Sequence, residues 1–254
     1  MKNCYLITSV IEVDNTNLLK YNQIRSLLST EDRLSDTYKT LDCIIKNDPD
    51  ASIFLLDASK TYFKELLIKY PKIRYIHLES INSSLANKVR THPSKSHGEC
   101  LMILEFLKQY KKIIVENYDY LIKISGRYYF INEYLNDLTK NNVDKFLFKK
   151  PVYWNKSDLT YLSDDYLPPE MYVDEKLGGY YTVVCAIGTQ QLNRYETAMF
   201  ACASMTDENS KYFYVDVEYL LYKIFSDFDL KRYVLETDWV AEGRGGQNGK
   251  YFRF

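Results

Sequence analysis

The chain has 254 residues, of which 46% are hydrophobic and 26% charged, a composition typical of globular proteins and unlike that of disordered chains. Lysine and arginine together number 33 against 34 acidic residues, and this balance argues against nucleic acid as a partner, because polyanion binding needs a large positive field. We expect one domain, since α/β domains of this length commonly stay undivided.

The first residues carry no secretory cleavage pattern, and no apolar stretch approaches the roughly 20 residues of a membrane-spanning helix. We therefore predict a cytoplasmic protein. The cysteines are odd in number and widely spaced, which favours free thiols in the core over disulfides or zinc ligands. They are Cys4, Cys43, Cys100, Cys185 and Cys202.

The first third of the sequence alternates predicted strands and helices. Apolar runs predict strands over 4–11, 51–56 and 73–78. Helical spacing predicts a helix that begins near Ser29, whose hydroxyl can cap it, and another over 62–70. Strands separated by helices favour parallel pairing, so we predict an α/β fold with a mainly parallel central sheet flanked by helices.

The next segment is predicted to contain the strand whose carboxyl end carries the functional site. Residues 80–97 are polar and predict a loop, 98–110 a helix, and 120–124 a fourth strand that ends in a turn at Gly126. Ligands of open α/β sheets bind outside the carboxyl ends of the strands. We therefore expect the chemistry after this fourth strand.

The second half is less regular. Strands are predicted over 145–149 and 180–187, and helices over 189–203 and 214–228. Glycines concentrate near the end of the chain, which predicts a pliable basic segment. These glycines are Gly243, Gly245, Gly246 and Gly249, and the cations among them are Arg244, Lys250 and Arg253.

Residues 53–59, Ile-Phe-Leu-Leu-Asp-Ala-Ser, resemble the hydrophobic-Asp-Asp-Gly-Ser signature of inverting GT-A glycosyltransferases. The resemblance implies a single GT-A-like domain and places Asp57 on the nucleoside of a nucleotide-sugar donor. A carboxylate can accept hydrogen bonds from a base N–H or a ribose hydroxyl. The same residue type also commonly closes a strand as a turn former, which stays an open alternative.

Residues 121–128, Leu-Ile-Lys-Ile-Ser-Gly-Arg-Tyr, are similar to a motif of bacterial and viral glycosyltransferases that also carry a Gly-Glu pair in the preceding helix, matched here by Gly98 and Glu99. The motif occupies the place of the Asp-X-Asp that holds a divalent metal in GT-A enzymes. It therefore implies that Lys123, Ser125 and Gly126 belong to the donor site.

The missing Asp-X-Asp leaves the dependence on Mg²⁺ or Mn²⁺ open, and we assign no metal ligands, because these hard cations need oxygen donors. Arg127 is a candidate replacement, since a guanidinium binds phosphate through two N–H groups and can stabilise the leaving diphosphate. Lys123, in a strand suited to burial, needs an anionic partner.

Further candidates for donor binding follow from their position in a GT-A-like fold. Thr8 and Ser9 end the first strand, Arg33 lies in the first helix, and Arg244 belongs to the glycine-rich end that could close over a diphosphate. Each of these could equally be an ordinary exposed residue.

An inverting transferase needs a base that takes the proton of the acceptor hydroxyl. Asp216 and Glu218 are predicted to open a helix in the second half, where GT-A enzymes often place the base, and we favour Asp216 slightly because it is nearer the helix start. They are two positions apart and face different ways, so only one is expected to reach the acceptor. Stabilisation of the helix dipole is the alternative role for both.

The chain has three histidines, and a site that combines all three as metal ligands is improbable. His77 lies inside a predicted strand and is expected to be a satisfied core residue. His92 and His97 fall in the predicted polar loop, where solvated roles are common.

The resulting prediction is a glycosyltransferase whose residues 1–134 bind a nucleotide-sugar donor and whose residues 135–254 bind a glycan or lipid-linked acceptor in polysaccharide synthesis, soluble or peripheral at the inner membrane surface. A sugar-nucleotide nucleotidyltransferase is one alternative, but such enzymes carry a glycine-rich loop after the first strand, and residues 8–17 contain no glycine. A non-catalytic nucleotide- or glycan-binding domain is the other.

Overall fold

The computed structural model describes residues 1–17, 19, 24–155, 168–172, 176–245 and 249–253. Its strands within these ranges are β1 (Asn3–Ser9), β2 (Ser52–Asp57), β3 (Arg74–His77), β4 (Tyr120–Ser125), β5 (Tyr128–Phe130), β6 (Phe146–Lys149), β7 (Val152–Asn155), β8 (Lys176–Gly179), β9 (Val184–Gly188), β10 (Val234–Thr237), β11 (Ala241–Arg244) and β12 (Tyr251–Arg253).

Its α-helices in the same ranges are α1 (Thr30–Asn47), α2 (Lys64–Lys69), α3 (Leu78–Ile81), α4 (Ser83–Thr91), α5 (Lys95–Asn117), α6 (Leu192–Met205), α7 (Val217–Phe225) and α8 (Phe228–Lys231). Among the described residues, no helix has the length and apolar character needed to cross a membrane.

A central sheet contains seven of the described strands in the order β10-β6-β9-β4-β1-β2-β3. Strands β3, β2, β1 and β4 are parallel neighbours, β9 lies antiparallel between β4 and β6, and β10 pairs parallel with β6. The predicted mainly parallel α/β sheet is confirmed. Two small antiparallel sheets, β12-β11-β5 and β7-β8, flank it.

Helices cover both faces of the central sheet because its strands are apolar on both sides. In β1, Cys4 and Leu6 pack into one core cluster with helices α4 to α7, whereas Tyr5 and Ile7 pack into the opposite cluster with α1 and α2. Successive side chains of a strand point to opposite faces, and this alternation directs Lys123 of β4 toward the α5 side.

Helix α1 begins where the sequence predicts. Ser29 is its N-cap, its Oγ accepts a hydrogen bond from the Asp32 backbone N–H, and the Asp32 side chain accepts in return from the Ser29 N–H. This reciprocal pair satisfies two backbone donors that the first turn would otherwise leave unpaired.

The predicted loop over 80–97 is wrong, because the segment contains the end of α3, all of α4 and the first residues of α5. Asn82 caps α4 by accepting from the Leu85 N–H, and Ala86 and Val89 are buried. Ala86 and Val89 are the buried apolar residues of this nine-residue helix, and two such positions give almost no periodic signal. Helix α5 begins at Lys95, after the cap Ser94, and not at Gly98.

The glycine-rich end is also more regular than predicted over its described residues. Strand β11 pairs with both β5 and β12, and Gly249 has a φ of 62° in the connection between β11 and β12. A Cβ on Gly243 would lie 2.1 Å from the Arg127 carbonyl oxygen, so glycine here permits close strand pairing. Gly246 lies outside the described residues.

Candidate active site

A cleft opens at the carboxyl ends of β1 and β4, beneath the first turns of α5. Eight residues that the sequence assigns to the site line this cleft, and they come from four elements or the turns that follow them. They are Thr8, Ser9, Arg33, Gly98, Glu99, Ser125, Gly126 and Arg127.

The ends of β1 and β4 meet because the two strands are parallel neighbours, with Thr8 opposite Ser125. The Gly126 N–H donates to the Thr8 carbonyl oxygen over 2.9 Å. A Cβ on Gly126 would lie 3.2 Å from both Cβ and Oγ of Ser9, which is tighter than ordinary contact. Glycine is thus favoured here by the close approach of the chains and not by a positive φ.

Five cations line this cleft: Arg25, Arg33, Arg90, Lys95 and Arg127. Arg33 is only 8% exposed, and its Nε donates to the Val10 carbonyl oxygen over 2.7 Å. The Lys95 ammonium donates to the Arg25 carbonyl oxygen. Backbone carbonyls therefore fix Arg33 and Lys95 in place without neutralising their charge.

The positive charges of the cleft oppose one another. Burial, and then the neighbouring charge of Arg127, lower the pKa of Arg33. Burial lowers the pKa of Lys95 to about 7, and the charges of Arg127, Arg33 and Arg25 contribute in that order. Because an anion in the cleft would relieve this repulsion, the site is suited to a negatively charged ligand.

Two acidic residues border the cleft, and both already have partners. Asp14 accepts from the backbone N–H and the hydroxyl of Thr16, and Glu99 forms an ion pair with Lys123. Residues 125–127 after β4 contribute no carboxylate. This donor set does not fit a Mg²⁺ or Mn²⁺ site of the Asp-X-Asp kind, which requires several oxygen ligands.

Lys123 finds the anionic partner that its burial demands. It is 1% exposed, pairs with Glu99 of α5, and donates to the Thr182 carbonyl oxygen over 2.6 Å and to the Ser125 Oγ over 3.2 Å. Its charge lies under the cleft floor and is engaged there. The predicted contact of Lys123 with the donor stays a prediction.

Asp216 and Glu218 both lie at the start of α7, the first as N-cap and the second within the first turn. An Asp216 oxygen accepts from the Ser96 hydroxyl over 3.1 Å, and a Glu218 oxygen accepts from the Thr182 hydroxyl over 2.8 Å. Neither residue lines the cleft. Glu218 connects to the cleft through Thr182, whose carbonyl oxygen accepts from the Lys123 ammonium, which also donates to Ser125.

The two carboxylates differ in what their surroundings do to them. Burial raises the pKa of Glu218 to about 7, and the negative charges of Asp216 and Glu99 contribute in the same direction. A carboxylate with a pKa near neutrality can both take up and release a proton under ordinary conditions. Its environment therefore suits Glu218 to general base catalysis.

Asp57 lies below the cleft and is fully buried. One oxygen accepts from the Ile11 N–H over 3.1 Å and from the Ser59 hydroxyl over 2.8 Å, and the other accepts from the Tyr75 hydroxyl over 3.0 Å. These bonds tie the segment after β1 to β2 and β3. A contact of Asp57 with a nucleoside stays a prediction, and these bonds do not favour it.

Arg244 lies on β11 and is engaged with α1, where its guanidinium pairs with Asp32 over 2.9 Å and with Asp36 over 2.8 Å. Its backbone carbonyl accepts from Nη1 of Arg127 over 2.7 Å. Arg244 therefore connects to the cleft by positioning Arg127, and its own charge is directed away. Direct donor binding by Arg244 remains a prediction.

Sequence reasoning missed three cations of the cleft: Arg25, Arg90 and Lys95. Arg90 is held by Glu79, 2.6 Å away, and donates to the Ala58 carbonyl oxygen. Lys95 and Arg90 fell in the segment taken for a loop. The Ser-Lys-Ser-His sequence at 94–97, with a capping serine ahead of a lysine, was the one signal that α5 starts there.

The histidines divide into two groups. His77 is a satisfied residue of β3, with its ring nitrogens 2.7 Å from the Ser80 hydroxyl and 3.0 Å from the Ser59 carbonyl oxygen, as predicted. The solvated roles predicted for His92 and His97 are wrong. Both are buried, at 5% and 3% exposed, where the end of α6 meets His97 and Phe213 meets His92.

No protein-family model and no curated protein sequence matches the chain. Among solved structures, core-mannan synthase A of Aspergillus fumigatus, determined in its Mn/GDP form, superposes with a TM-score of 0.53 at 10% identity over 95% of this chain and 74% of that one. This likeness shows a shared fold and confirms the predicted GT-A-like α/β fold.

Two other solved structures are similar at a lower level. Mouse xyloside xylosyltransferase 1 in its apo form has a TM-score of 0.47 at 7% identity, over 93% of this chain and 85% of that one. The 4-diphosphocytidyl-2C-methyl-D-erythritol synthase of Anaerococcus prevotii has a TM-score of 0.46 at 16% identity, over 92% and 87%.

Proposed function

We propose that the chain is an enzyme, a glycosyltransferase that moves a sugar from a nucleoside-diphosphate sugar to a hydroxyl acceptor. The observation that carries this proposal is the convergence of Arg25, Arg33, Lys95 and Arg127 on one cleft at the carboxyl ends of parallel strands. A diphosphate is the part of such a donor that four cations would recognise.

The donor is proposed to lie across the ends of β1 and β4, with its diphosphate against Arg127 and Lys95. Thr8 and Ser9 supply hydroxyls, and Gly98 and Gly126 allow α5 to pack closely on Val89 of α4 and the turn after β4 to pack closely on Ser9 at the end of β1. The guanidinium of Arg127 is held by the Arg244 carbonyl oxygen before any ligand arrives, so little reorganisation is needed.

Glu218 is proposed as the base, in preference to Asp216. Its carboxylate removes the proton of the acceptor hydroxyl, the oxygen forms a bond to the anomeric carbon, and the bond from that carbon to the phosphate oxygen breaks. The nucleoside diphosphate leaves with its charge stabilised by the cleft cations. A single displacement of this kind inverts the anomeric centre.

The proposed acceptor, cellular location and pathway come from the sequence resemblance. A glycan or lipid-linked acceptor in polysaccharide synthesis, reached from the cytoplasmic side, stays our proposal from the sequence resemblance. The two alternatives also stay open: a nucleotidyltransferase would release pyrophosphate, and a non-catalytic binding domain would bind donor without turnover.

A melting screen tests donor binding. UDP, GDP, CDP and ADP, each with its monophosphate, are added to the protein in EDTA, and we expect a diphosphate to raise the melting temperature more than its monophosphate. Lys95→Ala should reduce this shift, whereas Lys108→Ala, an exposed lysine on the same helix, should leave it unchanged.

Turnover then separates the alternatives. The sugar conjugate of the preferred nucleotide is incubated with the protein, and release of nucleoside diphosphate is expected. Release of pyrophosphate from a nucleoside triphosphate with a sugar phosphate would favour the nucleotidyltransferase. Equal shifts for monophosphates and diphosphates, unaffected by Lys95→Ala, would contradict the proposed diphosphate site.

A further inference from the structure

A second cluster of ligand-type side chains lies apart from the cleft, where the α4–α5 connection meets the end of α6. His92 follows α4, His97 lies in the first turn of α5, and Asp207 comes shortly after α6. One nitrogen of each histidine and one oxygen of Asp207 lie within 4.8 Å of one another. Two of the chain's three histidines thus meet at one point with a carboxylate.

His97 presents a nitrogen that suits a metal ligand. Its Nδ1 lies 3.0 Å from the Ala203 carbonyl oxygen, an arrangement in which Nδ1 carries the proton and donates. The lone pair is then on Nε2, a buried atom with no hydrogen-bond partner among the described residues. Metal-binding histidines commonly donate their other ring N–H to a backbone carbonyl in this way.

The charges around the cluster also suit a cation. The Asp207 side chain contributes a carboxylate, one oxygen of which accepts from the Asn209 N–H over 3.4 Å. Glu208 adds a second carboxylate, 3.9 Å from Nε2 of His92.

We propose that His92, His97 and Asp207 bind a divalent transition-metal ion of the Zn²⁺ type, with Glu208 in reach as a fourth ligand. Imidazole nitrogens and carboxylate oxygens are a common zinc donor set. The rings of His92 and His97 stack at 3.9 Å between centroids and 18° between planes. Binding of the ion would therefore require one ring to turn, so that the two lone pairs converge on it. The ligand atoms also draw closer, since zinc bonds are about 2.0–2.1 Å long.

Such an ion would affect the cleft indirectly, by fixing the backbone beside it. It would fasten the α4–α5 connection to the end of α6, and the His92 carbonyl oxygen accepts from Nη1 of Arg25 over 2.9 Å, while Lys95 follows three residues later. The ion would therefore fix the backbone that carries Lys95 and that holds the side chain of Arg25. It takes no part in the proposed sugar transfer.

The test uses the whole protein, stripped of metal by a chelator. Zn²⁺ alone is titrated in competition with a chromophoric chelator, and Co²⁺ alone is followed by its visible absorption. We expect one ion per chain and the strong bands of a four-coordinate Co²⁺ site. Asp207→Asn and His97→Gln should each weaken Zn²⁺ binding about a hundredfold or more and abolish those bands.

Two matched controls are His77→Gln, which changes the third histidine, and Asp229→Asn, which changes an aspartate in the first turn of α8. Neither substitution should alter Zn²⁺ binding. Folding of each variant is checked by circular dichroism, and Asp207→Asn decides the outcome if His97→Gln does not fold. Wild-type protein that binds no Zn²⁺, or binding that survives Asp207→Asn unchanged, overturns the proposal. These readouts are independent of any transferase activity.

Discussion

Lys123 of β4 and Glu99 of α5 form an ion pair beneath the cleft, with 1% of the lysine side chain and 24% of the glutamate side chain exposed. The lysine belongs to the apolar sheet, and the glutamate borders the cleft. The pair therefore links the proposed donor site to the core. Its removal should be felt in both stability and ligand binding.

Lys123→Met is expected to destabilise the protein by about 3 kcal/mol, because loss of one partner leaves the other charge unpaired in a poorly solvated place. The double variant Lys123→Met/Glu99→Gln should recover part of that loss. Urea unfolding measures both. Lys112→Met removes an exposed pair with Glu116 on the same helix and should cost about 0.5 kcal/mol or less. Equal costs for Lys123→Met and Lys112→Met would contradict a structural role for the buried pair.

Asp57→Ala is expected to lower the free energy of unfolding by about 2–3 kcal/mol, since it leaves the Ile11 N–H and the hydroxyls of Ser59 and Tyr75 without their acceptor. Asp42→Ala is the matched control, because Asp42 also accepts from a tyrosine hydroxyl but is 59% exposed. Normal stability with weakened nucleotide binding in Asp57→Ala would instead favour the nucleoside contact predicted from the sequence.

Strands β1 to β4, β6 and β9 and the main helices could be predicted because their signals are local. The apolar run of β1 and the serine cap of α1 each specify an element without reference to the rest of the chain. Helix α4 could not be predicted, because its two buried apolar residues acquire their burial only when α5 packs against them. The hairpin of β11 and β12 likewise depends on pairing with β5, far away in the sequence.

The residues of the candidate site also differ in whether a local signal in the sequence identifies them. Residues 121–128 identified the strand end and Arg127 directly. Arg25 and Lys95 could not be found, since nothing in their own sequence neighbourhood shows that the fold brings them to β1 and β4. The difference between Asp216 and Glu218 was equally out of reach, because it arises from the burial of Glu218 beside Asp216 and Glu99.

The pH dependence of transfer tests Glu218 as base. We expect kcat/KM to rise with pH through an apparent pKa of about 7, because the carboxylate must be ionised to accept the acceptor proton. Glu218→Gln should abolish turnover with donor binding retained. Asp216→Asn removes one of the negative charges that raise the pKa of Glu218, so its profile should move to lower pH. An unshifted profile in Asp216→Asn would contradict the coupling.

The same raised pKa predicts how stability depends on pH. The ordinary pKa of a glutamate is 4.5, and the folded chain holds the Glu218 proton up to about 7. The folded state therefore binds more protons in that window, and charging Glu218 costs stability as pH rises through it. Relative to the wild type, the melting temperature of Glu218→Gln should rise between pH 4.5 and pH 7. Above pH 7 the difference between the two should stay constant. A constant difference across this range would show an unperturbed carboxylate.

Arg127 provides the sharpest test of a phosphate site built from cations. Its guanidinium is held by the Arg244 carbonyl oxygen beside Lys95 and Arg33, so Arg127→Ala removes a preorganised charge from the departing nucleotide. Losing one such donor typically costs about 3–4 kcal/mol, or roughly a hundredfold to a thousandfold in kcat. Arg127→Lys should recover little, since an ammonium cannot reproduce the two parallel N–H bonds of a guanidinium.

Turnover of wild type and both variants is measured in EDTA and with added Mg²⁺ or Mn²⁺. Arg232→Ala, at the exposed end of α8, is the control and should keep wild-type turnover. Because residues 125–127 offer no carboxylate, we expect wild-type activity to persist in EDTA. Activity lost in EDTA and restored by Mn²⁺, together with a small effect of Arg127→Ala, would instead mean that a cation held by other acids carries the leaving-group charge.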